Sequence, residues 1–141
     1  GLLNMLIRYD TLYTALQYLS LALAGKAYMG VGRNLSYKKS LFLKNKGFTS
    51  HYNIPSGDDD IFISQVSTAK NTAVEIRNDS QTISLPKETF GEWIRQKRRH
   101  LSTGKFYKKQ TKLILGSYLL SQLVFFIIFT AILFKKKLKS N

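Results

Sequence analysis

Cysteine is missing from the chain, which excludes disulfides and thiolate metal sites and leaves the redox compartment open. Acids are scarce: eight Asp and Glu stand against 22 Lys and Arg, a formal net charge of +14. No signal peptide is visible, and there is no internal repeat and no low-complexity stretch apart from a lysine-rich end. There is also no phosphate-cradling loop followed by lysine and serine or threonine, and no complete glycine fingerprint of a dinucleotide site. The sequence starts at Gly1 and enters an apolar segment almost at once, so it reads as a piece of something longer. Its 141 residues are ample for one domain but few for an enzyme with two substrates.

The positive charge is clustered. Eight cations and no acid lie between Trp93 and Lys112: Arg95, Lys97, Arg98, Arg99, Lys105, Lys108, Lys109 and Lys112. Four more lysines, Lys135, Lys136, Lys137 and Lys139, close the chain. Between the two blocks, Leu113 to Phe134 is an uncharged run of 22 residues. As a helix rising about 1.5 Å per residue it would cross a hydrocarbon layer of roughly 30 Å. The alternative, a buried core helix, would need more protein around it than a domain of this size supplies. The expected organisation is a domain over residues 1–104, a basic linker over 105–112, a transmembrane helix over 113–134 and a basic tail over 135–141.

Polar groups recur at Asn4, Arg8, Thr11, Thr14 and Gln17 within the apolar-rich stretch Leu2 to Ala24, the spacing of one wet helical face. That predicts an amphipathic helix packed on a soluble domain, with a membrane-surface helix as the alternative. Three glycines punctuate the loop from Gly25 to Gly32, and Asn34 to Lys46 reads as a strand or short helix. Pro55-Ser56-Gly57 is a turn opening a short helix in which Ile61, Phe62, Val66 and Ala69 share a side. Thr72 to Arg77 and Thr82 to Leu85 have strand character, with Asn78-Asp79-Ser80 as a hairpin turn. Pro86 is placed to open a helix carrying Phe90, Trp93 and Ile94, broken at Ser102-Thr103-Gly104.

Three constellations carry chemistry. Asp58, Asp59 and Asp60 follow a turn; adjacent carboxylates repel, so they either cap a helix in water or serve a cation or a hydroxyl proton. Gln96, Arg99 and His100 stand at i, i+3 and i+4, so an amide, a guanidinium and an imidazole converge on one side of a helix, suited to a diphosphate or sugar hydroxyls. The alternative for that basic helix is attraction to anionic lipid headgroups. Gly30-Val31-Gly32-Arg33-Asn34 is a tight loop whose glycines let backbone approach a ligand and whose Asn34 offers both a donor and an acceptor.

In this order, Gly-x-Gly-Arg-Asn-Leu-x-Tyr-Lys-Lys, Lys46-Gly47-Phe48, Gly57-Asp58-Asp59-Asp60-Ile61-Phe62, Trp93-x-x-Gln96-Lys97-x-Arg99-His100 and an apolar helix, the chain resembles the second half of a family 2 glycosyltransferase of the membrane-anchored kind. The resemblance spans about Leu2 to Phe134. It implies an α/β fold, part of a GT-A (Rossmann-like) domain, and inverting transfer of a sugar from a nucleotide-sugar donor to a carbohydrate or lipid acceptor. On the family's acidic motif, Asp58 falls on the first acid and Asp59 on the general base, with Asp60 beside it. The family's Gln-x-x-Arg-Trp motif falls on Gln96, Lys97, Arg98, Arg99 and His100, with histidine in place of tryptophan, which weakens any inference of processivity. Arg99 and Gln96, backed by Arg98, would hold the diphosphate; Asn34 and Arg33 would line the pocket, and Trp93 would offer a ring to a sugar or pack in the domain.

The family's nucleotide-binding strands and its Asp-x-Asp have no match here. A divalent cation, Mg or Mn, is therefore expected to be held upstream, with no metal ligand in this chain, and the chain by itself is expected to be inactive. Expected partners are the donor, the acceptor and membrane lipids, without nucleic acid. The expected place is the cell membrane, the inner membrane of a bacterium, with the soluble part in the cytoplasm. There the terminal lysines oppose the positive-inside tendency unless a further segment returns the chain. The rival is a non-enzymatic membrane adaptor binding anionic lipid or nucleic acid through its basic segment, although only Phe106 and Tyr107 would supply aromatics for nucleic acid.

Overall fold

A computed structural model describes residues 1–54 and 56–139, without the side chains of 137–139, and among these residues every regular element is helical. The helices are α1 (Leu2–Leu23), α2 (Lys39–Lys44), α3 (Asp58–Val66), α4 (Phe90–Leu101) and α5 (Lys109–Lys139), with 3-10 turns at Gly32–Asn34, Thr49–His51, Asn78–Ser80 and Ser102–Phe106. The α/β expectation, a partial Rossmann-like GT-A domain, is overturned: the described residues contain no strand. Pro55 of the expected turn, and Ser140 and Asn141 of the basic tail, lie outside the described residues. The chain divides into two units, Gly1–Tyr107 and Lys108–Asn141.

The strand-like sequence at 72–85 fails to pair for a local reason. A hairpin needs a turn that reverses the chain with its twist, and Asn78–Ser80, which lacks glycine, winds as a 3-10 turn instead. Side chains then take the backbone groups a ladder would use. Arg77 N–H donates to Glu75 Oε1 (2.9 Å), Ser80 Oγ to the Arg77 carbonyl (2.7 Å) and Gln81 Nε2 to the Ile76 carbonyl (3.3 Å). Two strands alone would be marginal in any case. Ile83 and Leu85 are left 98% and 94% exposed. Pro86 does not open the next helix either: α4 starts at Phe90, where the Thr89 hydroxyl accepts the Glu92 N–H (3.2 Å) as an N-cap.

Helix α1 turns its polar groups differently from the expected wet face. Asn4, Arg8 and Thr11 are exposed, but Thr14 and Gln17 are half-buried and Asp10 faces inward to pair with Lys97 of α4. Gln17 accepts a hydrogen bond from the buried Tyr28 hydroxyl (3.1 Å). The positions left open carry Leu2, Met5, Tyr9, Leu12, Leu16 and Leu23. A polar residue inside a helix pattern is satisfied by whichever partner the fold presents, which periodicity alone does not show.

The core of the first unit is small and aromatic. Phe62 of α3 is fully buried, with Tyr37, Phe42 and Phe48 rings 5.0 to 5.8 Å away. Buried residues of α3 are Asp60, Ile61, Phe62 and Ser64, while Ala69 lies past its end and is exposed. Lys46 and Gly47 take left-handed backbone (φ 57° and 60°) and close α2. Gly57 enters α3 at φ 85°, and a Cβ there would stand 2.2 Å from Thr103 Cγ2. Only glycine meets both demands.

In the second unit α5 runs 31 residues, so both the expected basic linker from Lys109 and the lysines through Lys139 are helical. Within its stretch Lys109–Lys136 an 18-residue window reaches a mean hydropathy of 2.2, so the helix is long and apolar enough to cross a membrane. The exposed side chains from Leu119 to Phe134 suit a lipid surround.

Candidate functional site

The three aspartates start α3, where unpaired N–H groups and the helix dipole favour negative charge. A helical turn sends each one in a different direction. Asp58 is exposed, Asp59 half-buried and Asp60 only 4% exposed. The pattern was present in the sequence: Gly57, Asp60, Ile61 and Ser64 follow i, i+3, i+4 and i+7, the stripe that turns inward.

Asp59 is gripped by two backbone donors. Gly32 N–H, from the glycine-asparagine loop, donates to Oδ2 (2.7 Å), and Asp60 N–H donates to Oδ1 (3.0 Å). A Cβ at position 32 would approach Asp59 Oδ2 to 3.0 Å, so the loop reaches the carboxylate because glycine is there. Each oxygen keeps a further lone pair for an incoming hydroxyl.

Asp60 serves the interior. Tyr107 OH donates to its Oδ2 (3.3 Å), and Thr103 Oγ lies 3.4 Å from the same oxygen. The one Thr103 hydroxyl hydrogen is already donated to the His100 carbonyl at 2.7 Å. The longer contact is therefore best satisfied when a protonated Asp60 donates to Thr103. Burial first, and the charge of Asp59 second, push the Asp60 carboxyl up to about 6. Burial also raises the hydroxyls of Tyr28 and Tyr107, whose rings meet edge-on at 5.3 Å, so both stay neutral.

His100 sits near the end of α4 with much of its surface open. Partial desolvation, then Arg99 and Lys97, hold its imidazole below the usual value, while Asp59 pulls the other way and Arg33 adds to the lowering. Four charges, those of Arg99, Lys97, Asp59 and Arg33, thus act on the His100 imidazole. Gln96 is half-buried on α4, and Lys97 is tied to Asp10. Asp58, Asn34 and Arg98 are exposed, and Trp93 is half-buried with its ring edge-on to Phe90 (6.3 Å). Among the described residues no side-chain hydrogen bond or ion pair ties these four to Asp59.

Sequence reasoning missed Thr103, read only as part of a helix break, and the long-range partners Tyr28 and Tyr107. It also missed His51, which is buried beside Phe48 with Nδ1 2.9 Å from Ser50 Oγ and Nε2 without a partner among the described residues. Such pairings across 43 or 47 residues leave no local signal. No group of three His, Asp or Glu that could hold a metal ion occurs among the described residues, because Asp60 is engaged internally and Asp58 points away. No step is assigned to a divalent cation. Comparison with known proteins finds no family model, no curated protein and no solved structure that matches the chain.

Proposed function

We propose that this chain supplies the acceptor-activating side of an inverting glycosyltransferase that works at a membrane, on the cytoplasmic face of a bacterial inner membrane. The observation that carries the reading is Asp59. It alone of the three acids is both aimed by two backbone N–H groups and open to a ligand, and its charge is felt at the His100 imidazole.

Asp59 takes the proton of the acceptor hydroxyl as its oxygen forms a bond to the anomeric carbon of a nucleotide-sugar donor. The bond from that carbon to the donor phosphate breaks, and the nucleoside diphosphate leaves with the electron pair. Arg99 and Arg33 offer planar sets of donors to the departing phosphate oxygens, and Gln96 adds an amide. His100, with its pKa held below the ordinary value, remains neutral at pH 7 and can bond a sugar hydroxyl without adding charge.

Sugar transfer in membranes carrying the complete protein tests this. Asp59→Asn keeps the shape and accepts the Gly32 hydrogen bond but cannot take a proton, so turnover falls by about 10² to 10⁴ while donor binding stays near normal. Wild-type turnover in Asp59→Asn, or lost donor binding with turnover of bound donor intact, would overturn the assignment.

A further inference from the structure

Helix α4 has two working faces. Trp93, Gln96 and Lys97 are half-buried toward the first unit, whereas Phe90, Ile94 and Leu101 are exposed. At about 100° per residue, these three fall within roughly 40° of one another, a narrow apolar stripe. Arg98 stands next to the stripe, and Arg95 follows beyond it; both are exposed. No acid interrupts the cations from Trp93 to Lys112, and along the chain only residues 102–108 separate α4 from the first residue of the apolar helix α5.

We propose that the Phe90, Ile94 and Leu101 face of α4 docks flat into the headgroup region of a bilayer rich in anionic phospholipid. Three physical points select that occupant over a protein surface. Aromatic and branched apolar side chains flanked by Arg on a short, otherwise polar helix are the composition of an interfacial helix, too polar to enter the hydrocarbon and too apolar to stay in water. On one edge of the stripe Arg98, followed by Arg95, complements lipid phosphates, each cation near an anionic surface adding attraction, whereas Lys97 on the other edge is paired with Asp10. A seven-residue tether to a membrane-length helix supplies a high effective concentration of surface, so a weak face suffices. On this arrangement the lipid and substrate readings of the basic helix are not rivals. Arg98 and Arg95 border the lipid face, while Gln96 and His100 lie on the side turned toward Asp59.

The test uses the full chain reconstituted in vesicles. Because it has no cysteine, a single introduced thiol carries a single nitroxide label. Labels at Ile94→Cys and Glu92→Cys lie on nearly opposite sides of α4. In phosphatidylcholine vesicles containing phosphatidylglycerol, the label at position 94 should relax with dioxygen and be shielded from a water-soluble nickel chelate. The label at position 92 should remain open to the chelate. Omitting phosphatidylglycerol, or combining Arg95→Glu with Arg98→Glu, should move the docking equilibrium of position 94 toward water by roughly tenfold or more. Equal chelate access at both positions in anionic vesicles overturns the proposal. Shielding of position 94 from both relaxants means a protein contact and overturns it too, as does a depth indifferent to lipid charge.

Discussion

Replacing Asp60 by asparagine should make the protein more stable at pH 8 while losing that advantage at pH 4. In the folded chain the Asp60 carboxyl titrates at about 6, against 3.8 in the unfolded chain. The fold therefore binds the proton more tightly, and stability from this group is fully present below 3.8 and falls as pH rises to about 6. The ionised folded state carries a cost of about 3 kcal/mol at neutral pH relative to the protonated one. The substituted amide would be neutral at every pH; Tyr107 and Thr103 meet one and the same carboxylate oxygen, so the amide serves only one of the two roles there, and the fixed cost of this, about 1 kcal/mol, is the same at both pH values. The difference between the two mutational effects, at pH 8 and at pH 4, should thus come to about 2 to 3 kcal/mol whatever that fixed cost is, because at pH 4 the unfolded carboxyl is already partly ionised. Urea titrations of the intact chain in detergent, followed by fluorescence of Trp93, the one tryptophan, read it directly. Wild type and Asp60→Asn giving parallel curves of stability against pH would refute the account of a desolvated Asp60.

Gly57→Ala should lower stability by about 2 to 3 kcal/mol, since it combines a left-handed φ with a Cβ pressed on Thr103, whereas Gly91→Ala, which meets open space on α4, should be neutral or slightly stabilising; paired melts in detergent compare them. Extraction of the intact chain should require detergent, while a chain ending at Tyr107 should come off membranes in high salt; release of the intact chain by salt alone would contradict a spanning α5. In the complete protein, Arg99→Ala should weaken use of a nucleotide-sugar donor by roughly 2 to 4 kcal/mol in kcat/KM, and Lys136→Ala should leave it unchanged.

The elements whose causes are local were legible in the sequence. Uncharged length gave the apolar helix, acids after a turn gave the start of α3, and the apolar spacing of Phe90, Trp93 and Ile94 gave α4. The pair of strands was misread because β-branched residues report a preference for pleated packing and say nothing of whether a partner strand exists. In the candidate site, the glycine loop, the acid triplet and His100 are each singled out by the sequence, yet the roles of the three acids are not separated there. The place of Asp60 on the inward stripe of α3 is readable from spacing, but its partners Thr103 and Tyr107, some forty residues away, are not. The inward turn of Gln17 and Asp10 depends likewise on Tyr28 and Lys97.

The contacts that assemble the site join two stretches of chain, residues 10–64 and 97–107, and none of them uses the exposed connection between. Asp10 reaches Lys97, Tyr28 meets Tyr107, and Asp60 meets both Thr103 and Tyr107. From Gln81 to Thr89 every residue is exposed, and Ile83 and Leu85 rest on nothing. That makes the stretch a seam at which the polypeptide can be lengthened or cut without dismantling the carboxylate arrangement. A peptide tag inserted after Ile83, or two separately expressed pieces joined there, would share one site built from both, and lineages could vary this connection freely while Asp60, Thr103 and Tyr107 stay fixed together.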